Sequence, residues 1–287
     1  MPQHAEFWPH LSAGALGVKV DFETSIEWAS EFGYTSLDPD VAYLKALDDA
    51  ARTEFLASLR DRGLRLGPTG PGVDFNADAA KFGEQLAGLS EYGELLQSLG
   101  IDRVGTWIKP WSDVTYRRNF ARHVERIGLA AEILSANGIR LGLEYVGPKT
   151  LWSRDAYPFI HTLREALELL AAVGNDHVGV VLDSYHWFSS GETAEDVAAL
   201  RPEQVIAVDM NDAIAGVPVD ELIDGTRELP GATGVIDNAA LLGALVQIGY
   251  QGPVKVEPFN AELRAKPAKE AVQLAADSLH KVLSSAS

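Results

Sequence analysis

Short apolar runs alternate along the chain with longer segments whose apolar residues return every three or four positions. "GALGVKV" reads as a strand and leads into "ETSIEWASEFG", where Ile26, Ala29 and Phe32 recur at helical spacing. "YTSLDPD" is a second strand, followed by a helix through "DDAARTEFLASLRDRG" that Gly63 closes. "LRLGPTG" and "DRVGTWI" are the third and fourth strands, with the helix "EYGELLQSLG" between them and "RRNFARHVERIGLAAEILSANG" after. "IRLGLEYVG" is the fifth. Its helix, "IHTLREALELLAAVG", carries the stripe Ile160, Leu163, Leu167 and Leu170. "HVGVVLD", "VIAVDMND" and "PVKVEPF" complete a set of eight strands, with the helices "AALLGALVQIGY" and "KEAVQLAADSLHKVL" in the last third.

Alternating units of this kind imply parallel strands joined by crossover helices. Eight of them in 287 residues is the arithmetic of an α/β fold, a closed (β/α)₈ TIM barrel in a single domain spanning 1–287. An open doubly wound sheet fits less well, because the first turn lacks a G-x-G-x-x-G phosphate loop.

In such a barrel the carboxyl ends of the strands build the active face. Those ends carry Thr69, Trp107 and Lys109, Glu144, Asp183, Asp209 and Asn211, and Glu257. Side chains two apart on a strand share a face. Glu144 therefore points with Gly142, Asp183 with Val181, Asp209 with Ala207 and Glu257 with Lys255, all toward the axis. Leu143, Leu182, Val208 and Val256 turn to the helices. One acidic residue at a strand end is ordinarily a helix cap or a surface group. Four converging on one axis repel one another unless protonated or neutralised. A divalent cation on an all-oxygen site is the simplest neutraliser, Mn²⁺ foremost with Mg²⁺ or Co²⁺ as alternates. Lys255, also inward, offsets only part of that charge.

Composition narrows the partners. The chain is 46% hydrophobic and 23% charged, which is ordinary globular composition, and no apolar run is long enough to span a bilayer. It has no cysteine, so disulfides and thiol chemistry are out. The opening "MPQHAEFWPHLSAG" has neither the basic nor the apolar part of a signal peptide, so a cytoplasmic protein is expected. With 41 acidic against 24 basic residues the net charge is −17, which repels phosphate backbones. The expected partner is a small-molecule carbohydrate, with no nucleic acid and no membrane; self-association into a homo-oligomer stays open.

The segments "LGLEYVGP", "VVLDSYHW", "VIAVDMNDA" and "GATGVIDNAALLGALVQIGYQGPVKVEPF" resemble the second half of the sugar phosphate isomerase/epimerase superfamily with a xylose isomerase-like TIM barrel. That superfamily includes ketose 3-epimerases, inosose isomerases and dehydratases, and metal-dependent abasic-site endonucleases. The resemblance is strong from about Gly138 to Phe259 and weaker before. It implies metal ligands at Glu144, Asp183 and Glu257, with Glu144 and Glu257 doubling as the catalytic acid/base pair. It implies substrate contacts at His186 and at Arg227, ahead of "ELPGATGVID". Where the family usually has a strand-seven histidine ligand, this chain has Asp209. A carboxylate there makes the site harder and tilts it away from zinc.

Two glutamates and a divalent ion suit removal of a proton beside a carbonyl. Return of the proton then gives an epimer or an isomer through an enediolate. Loss of a β-oxygen instead makes the reaction that of a lyase or dehydratase on a keto-sugar, inosose or 3-keto-glycoside. A non-catalytic sugar-binding barrel is the third reading, and the surface charge argues against an endonuclease. Trp107, Trp111, Trp152 and Trp187 lie near strand ends and either stack on a sugar face or simply pack; Lys109 either reaches substrate or is a rim charge.

Overall fold

Runs such as "VGVVLD" and "VIAVDM" become central strands because every one of their residues is buried, as parallel strands covered on both faces require. In the protein's structure, a computed structural model that describes residues 4–285, eight such strands make one parallel sheet. They are β1 (Glu6–Leu11), β2 (Ser36–Leu37), β3 (Arg65–Leu66), β4 (Arg103–Trp107), β5 (Arg140–Glu144), β6 (Val178–Asp183), β7 (Val205–Met210) and β8 (Gln251–Val256). The hydrogen-bonded order runs β3, β2, β1, β8, β7, β6, β5, β4. A parallel bridge between Thr69 and Val104 joins the two edges and closes the barrel. The chain residues 1–3 and 286–287, which the expected domain includes, lie outside the described residues.

The helices form where the sequence places start and stop signals. In Leu163–Val173, Thr162 caps the first turn by accepting from Glu165 N, and Gly174 ends the last in the left-handed conformation (φ 68°). Its buried face is Leu163, Ala166, Leu169 and Leu170. Ile160 precedes the helix and is buried in the same core, and of the expected stripe only Leu167 is partly buried. No helix among the described residues is long and apolar enough to cross a membrane.

The first strand corrects the sequence reading. "GALGVKV" is a turn and loop, and β1 is the upstream "EFWPHL", paired with β8 and β2. Its Trp8, Pro9 and His10 break the apolar pattern that normally reveals a buried strand. Trp8 lies under the guanidinium groups of Arg65 and Arg103, 4.2 Å and 4.8 Å from the ring centroid. Arg103 also donates to Ile206 O and Gln251 O, tying the strands together at their amino-terminal end.

Candidate functional site

Parallel register sets the site. Asp183 of β6 faces Asp209 of β7, which faces Lys255 of β8. Glu144 closes β5 beside Trp107 of β4, and Glu257 follows β8. Because registered side chains lean the same way, one oxygen from each of Glu144, Asp183, Asp209 and Glu257 falls within 4.8 Å of the other three. The alternation rule thus brings together the four carboxylates it singled out, while Leu143, Leu182, Val208 and Val256 are buried.

Two cations are interleaved with these acids. Lys255 Nζ lies 3.1 Å from both Asp209 Oδ2 and Glu257 Oε1. Arg227, 1% exposed, donates from Nη1 to Asp183 Oδ2 at 2.9 Å and from Nη2 to Asp224 Oδ1 at 2.6 Å. Its guanidinium sits between the rings of Tyr185 and Phe259, 4.9 Å and 4.7 Å away. It approaches Glu257 Oε2 at 3.6 Å. Four clustered carboxylates against two cations still leave an excess of negative charge.

The proton affinities follow from this packing. Burial raises the pKa of Glu144, and the charges of Glu257 and Asp183 push the same way against His186. Burial likewise lifts Asp209 well above the carboxylate range, Lys255 opposing and the other three acids adding to it. Asp183 goes the other way. Burial works against its charge, but Arg227, His186 and two backbone N–H groups hold it below the usual range. Burial opposes the ammonium of Lys255 too, yet Asp209 and Glu257 more than offset that. His186 is raised because Asp183 and Glu144 outweigh its burial.

A cation finds ready donors here. Glu144 Oε1 and Asp209 Oδ1 are buried with no hydrogen-bond partner among the described residues, and burying an unpaired carboxylate oxygen is costly. Hard oxygen donors of that kind fit a divalent ion. Asp183 is the least available of the four. It accepts from Tyr185 N and His186 N as the cap of a short helix, and from Asn211 and Arg227 through its other oxygen.

The cluster sits between two cavities that share Glu144 and Trp107. The larger, about 450 Å³, is lined by Asp209 and Lys255 on one side and by His10, Asp38, Thr69 and Thr106 on the other. The smaller, about 300 Å³, is lined by Trp111, Leu151, Phe259, His186, Arg227 and Glu257. Trp107, 49% exposed, stands at the boundary. His186 is buried in the cluster, its Nε2 3.5 Å from Glu144 Oε1. Lys109 is not brought in. It stacks on Trp111, Nζ 4.8 Å from the ring centroid, and lines neither cavity. Trp187 donates to Thr193 O and packs in the core, and Trp152 stacks on His161. Asp224, His10 and Asp38 join the site without having been singled out in the sequence.

The sequence profile described as xylose isomerase-like TIM barrel matches residues 26–281. The chain belongs to that family. This family member is 31% identical over 154 residues to the inosose isomerase of Halalkalibacterium halodurans, a match covering 54% of this chain and 51% of that protein. It is 28% identical over 190 residues to the 3-dehydroshikimate dehydratase of Pseudomonas aeruginosa, covering 66% of this chain and 28% of that one. The chain spans about half the length of the inosose isomerases it matches, and less of the dehydratase. Among solved structures it is similar to a xylose isomerase domain protein from Alicyclobacillus acidocaldarius subsp. acidocaldarius, with TM-score 0.86, 29% identity, and coverage of 98% of this chain and 99% of that one.

Proposed function

We propose that this family member is an isomerase or epimerase that moves a proton at the carbon beside a carbonyl of a polyhydroxy ketone, a free keto-sugar or keto-cyclitol, in the cytoplasm. The observation that carries the reading is the pair Glu144 and Glu257. They come from different strands, have oxygens within 4.8 Å, and both open onto a cavity. A glutamate whose pKa is raised above the usual carboxylate range, as burial does to Glu144, takes up a proton more readily than an exposed one. One glutamate removes the C–H proton and the other returns it. Return to the same carbon from the opposite side gives an epimer, and return to the neighbouring carbon gives an aldose–ketose or inosose isomer.

A divalent cation, Mn²⁺ first among those that suit oxygen donors, would be held by Glu144, Asp183, Asp209 and Glu257. When bound it would polarise the carbonyl and the adjacent hydroxyl as a Lewis acid. Lys255 holds Asp209 and Glu257 in place by contacting both. His186 and Lys255 present N–H groups to oxygen atoms that gain charge as the proton leaves. Arg227 fixes Asp183 and forms one wall of the smaller cavity. Trp107 presents a half-exposed ring to an apolar sugar face.

A second reading is elimination of a β-oxygen after the same proton removal. It is favoured by the match to the dehydratase, which covers more of this chain than that to the inosose isomerase. Product analysis decides between them. Keto-sugars and inososes incubated with Mn²⁺-loaded protein give products of unchanged mass on the first reading, and products lighter by one water on the second. No product of either kind from any member of the panel would overturn both.

A further inference from the structure

The polar layer of the barrel does not stop at the carboxylates. In the strand register, Asp183, Asp209 and Lys255 continue to His10 on β1 and then to Ser36 on β2. One step above, Ser12 and Asp38 follow His10 and Ser36 on the same faces, while Leu11 and Leu37 between them are buried toward the helices. His10, 3% exposed, is held at both ring nitrogens: Nδ1 lies 2.9 Å from Ser36 Oγ and Nε2 lies 2.9 Å from Asp38 Oδ1. Ser12 donates to Asp38 Oδ2 at 2.6 Å. The end of β3 is cut to fit this group, since a Cβ on Gly67 would fall on the His10 ring and crowd Ser36.

Asp38 is therefore braced at both oxygens from behind, yet its side chain remains 47% exposed, on the wall of the larger cavity. Each carboxylate oxygen has two lone-pair directions, so acceptor capacity is left facing the cavity. Burial works against its charge, but His10, Ser12 and Lys255 hold its pKa low and it is ionised at neutral pH. Among the described residues lining this cavity, Lys255 is the one lysine or arginine, and Asp209 and Glu257 already engage it.

We propose that Asp38 is a substrate-binding residue that accepts hydrogen bonds from hydroxyl groups at the end of the substrate remote from Glu144 and Glu257, and that it excludes a phosphate ester there. His10 and Ser12 are positioning residues that act through Asp38. The inference rests on the reading above for the kind of ligand, but it concerns binding and is tested apart from turnover. An ionised acceptor fixed in a cavity rewards hydroxyl donors and repels a phosphate dianion.

The experiment is calorimetric titration of the Mn²⁺-supplemented full chain with D-fructose, scyllo-inosose, D-fructose 6-phosphate and myo-inositol 1-phosphate, on native protein, Asp38→Asn, His10→Gln and Glu144→Gln. Native protein should bind at least one unphosphorylated compound and neither phosphate ester. Asp38→Asn should weaken that binding about ten- to a hundred-fold, the worth of a hydrogen bond to a charged group. In parallel steady-state assays of any compound that is turned over, His10→Gln should raise KM while kcat is retained, which a merely structural role would not produce. Glu144→Gln should bind while failing to turn over. If Asp38-dependent binding appears without conversion of any compound, the functional reading fails and this inference stands. Unchanged affinity in a folded Asp38→Asn, equal binding of a phosphate ester, or no binding by native protein would each overturn it.

Discussion

Replacing Lys255 by methionine removes one charge from the centre of the site while nearly keeping its volume. The ammonium touches the buried Asp209 and the partly buried Glu257 at 3.1 Å each, so the variant leaves both without their shared cation. Breaking a buried pair on one side costs about 3–5 kcal/mol. Lys255 is 25% exposed, which places the loss at about 2–3 kcal/mol after allowance for solvent. For a chain of this size that is a fall in Tm on the order of 5–10 °C, read by circular dichroism in metal-free buffer at pH 7. The same change takes a positive charge from beside the free Oδ1 of Asp209, so Mn²⁺ should bind more tightly to the variant and restore much of the lost stability. A Tm unchanged in the absence of metal, or Mn²⁺ binding weakened by the loss of the ammonium, would refute this view of the Asp209–Lys255 pair.

Glu144→Gln and Glu257→Gln should each lower turnover by at least about a hundred-fold with the fold intact, as loss of a proton-transfer group does; more than a few per cent residual activity in either removes it from the acid/base pair. Asp209→His should keep metal binding and shift preference toward softer ions such as Zn²⁺, measured by competition between metals. If Asp209→Ala leaves metal occupancy unchanged, Asp209 is not a ligand. Glu192 offers a pH test away from the carboxylate cluster. It accepts from Tyr145 OH and Leu163 N, and burial lifts its carboxyl to about 7. A carboxyl raised above its unfolded value contributes stability below about pH 4.5 that is lost as pH rises through 7. Glu192→Gln should therefore flatten the decline in Tm between pH 5 and pH 8; an unaltered profile would show that Glu192 is not the titrating group.

How much of this was legible in the sequence depended on strand length. In β5 to β8, four to six strand residues precede each carboxylate, so the two-residue alternation assigns a face with no help from structure. Asp183 shows the value of treating the four together: taken alone it is a helix cap, and it does cap the helix Ser184–Ser189, yet its second oxygen belongs to the cluster. The other half of the barrel was harder. β2 and β3 are two residues long, and β1 carries a proline and a histidine, so hydrophobic periodicity pointed to "GALGVKV" instead. Had "EFWPHL" been taken as the strand, the same alternation would have aligned His10 with Ser12 and Ser36 with Asp38. The tie between Arg227 and Asp183 crosses 44 positions and arises in a loop, where no spacing rule applies. Lys109 was misleading because position near a strand end does not fix where a long side chain turns; a neighbouring indole captured it.

The central claim is that the carboxylate cluster between β5 and β8 moves a proton beside a carbonyl. Its most direct measurement is proton NMR of keto-sugars and inososes in D₂O with the Mn²⁺-loaded protein, the metal removed before spectra are taken. The account predicts deuterium entering at the carbon next to the carbonyl with native protein, and loss of that exchange in Glu144→Gln. Exchange undiminished in Glu144→Gln, or absent from every compound with the native protein, would contradict it.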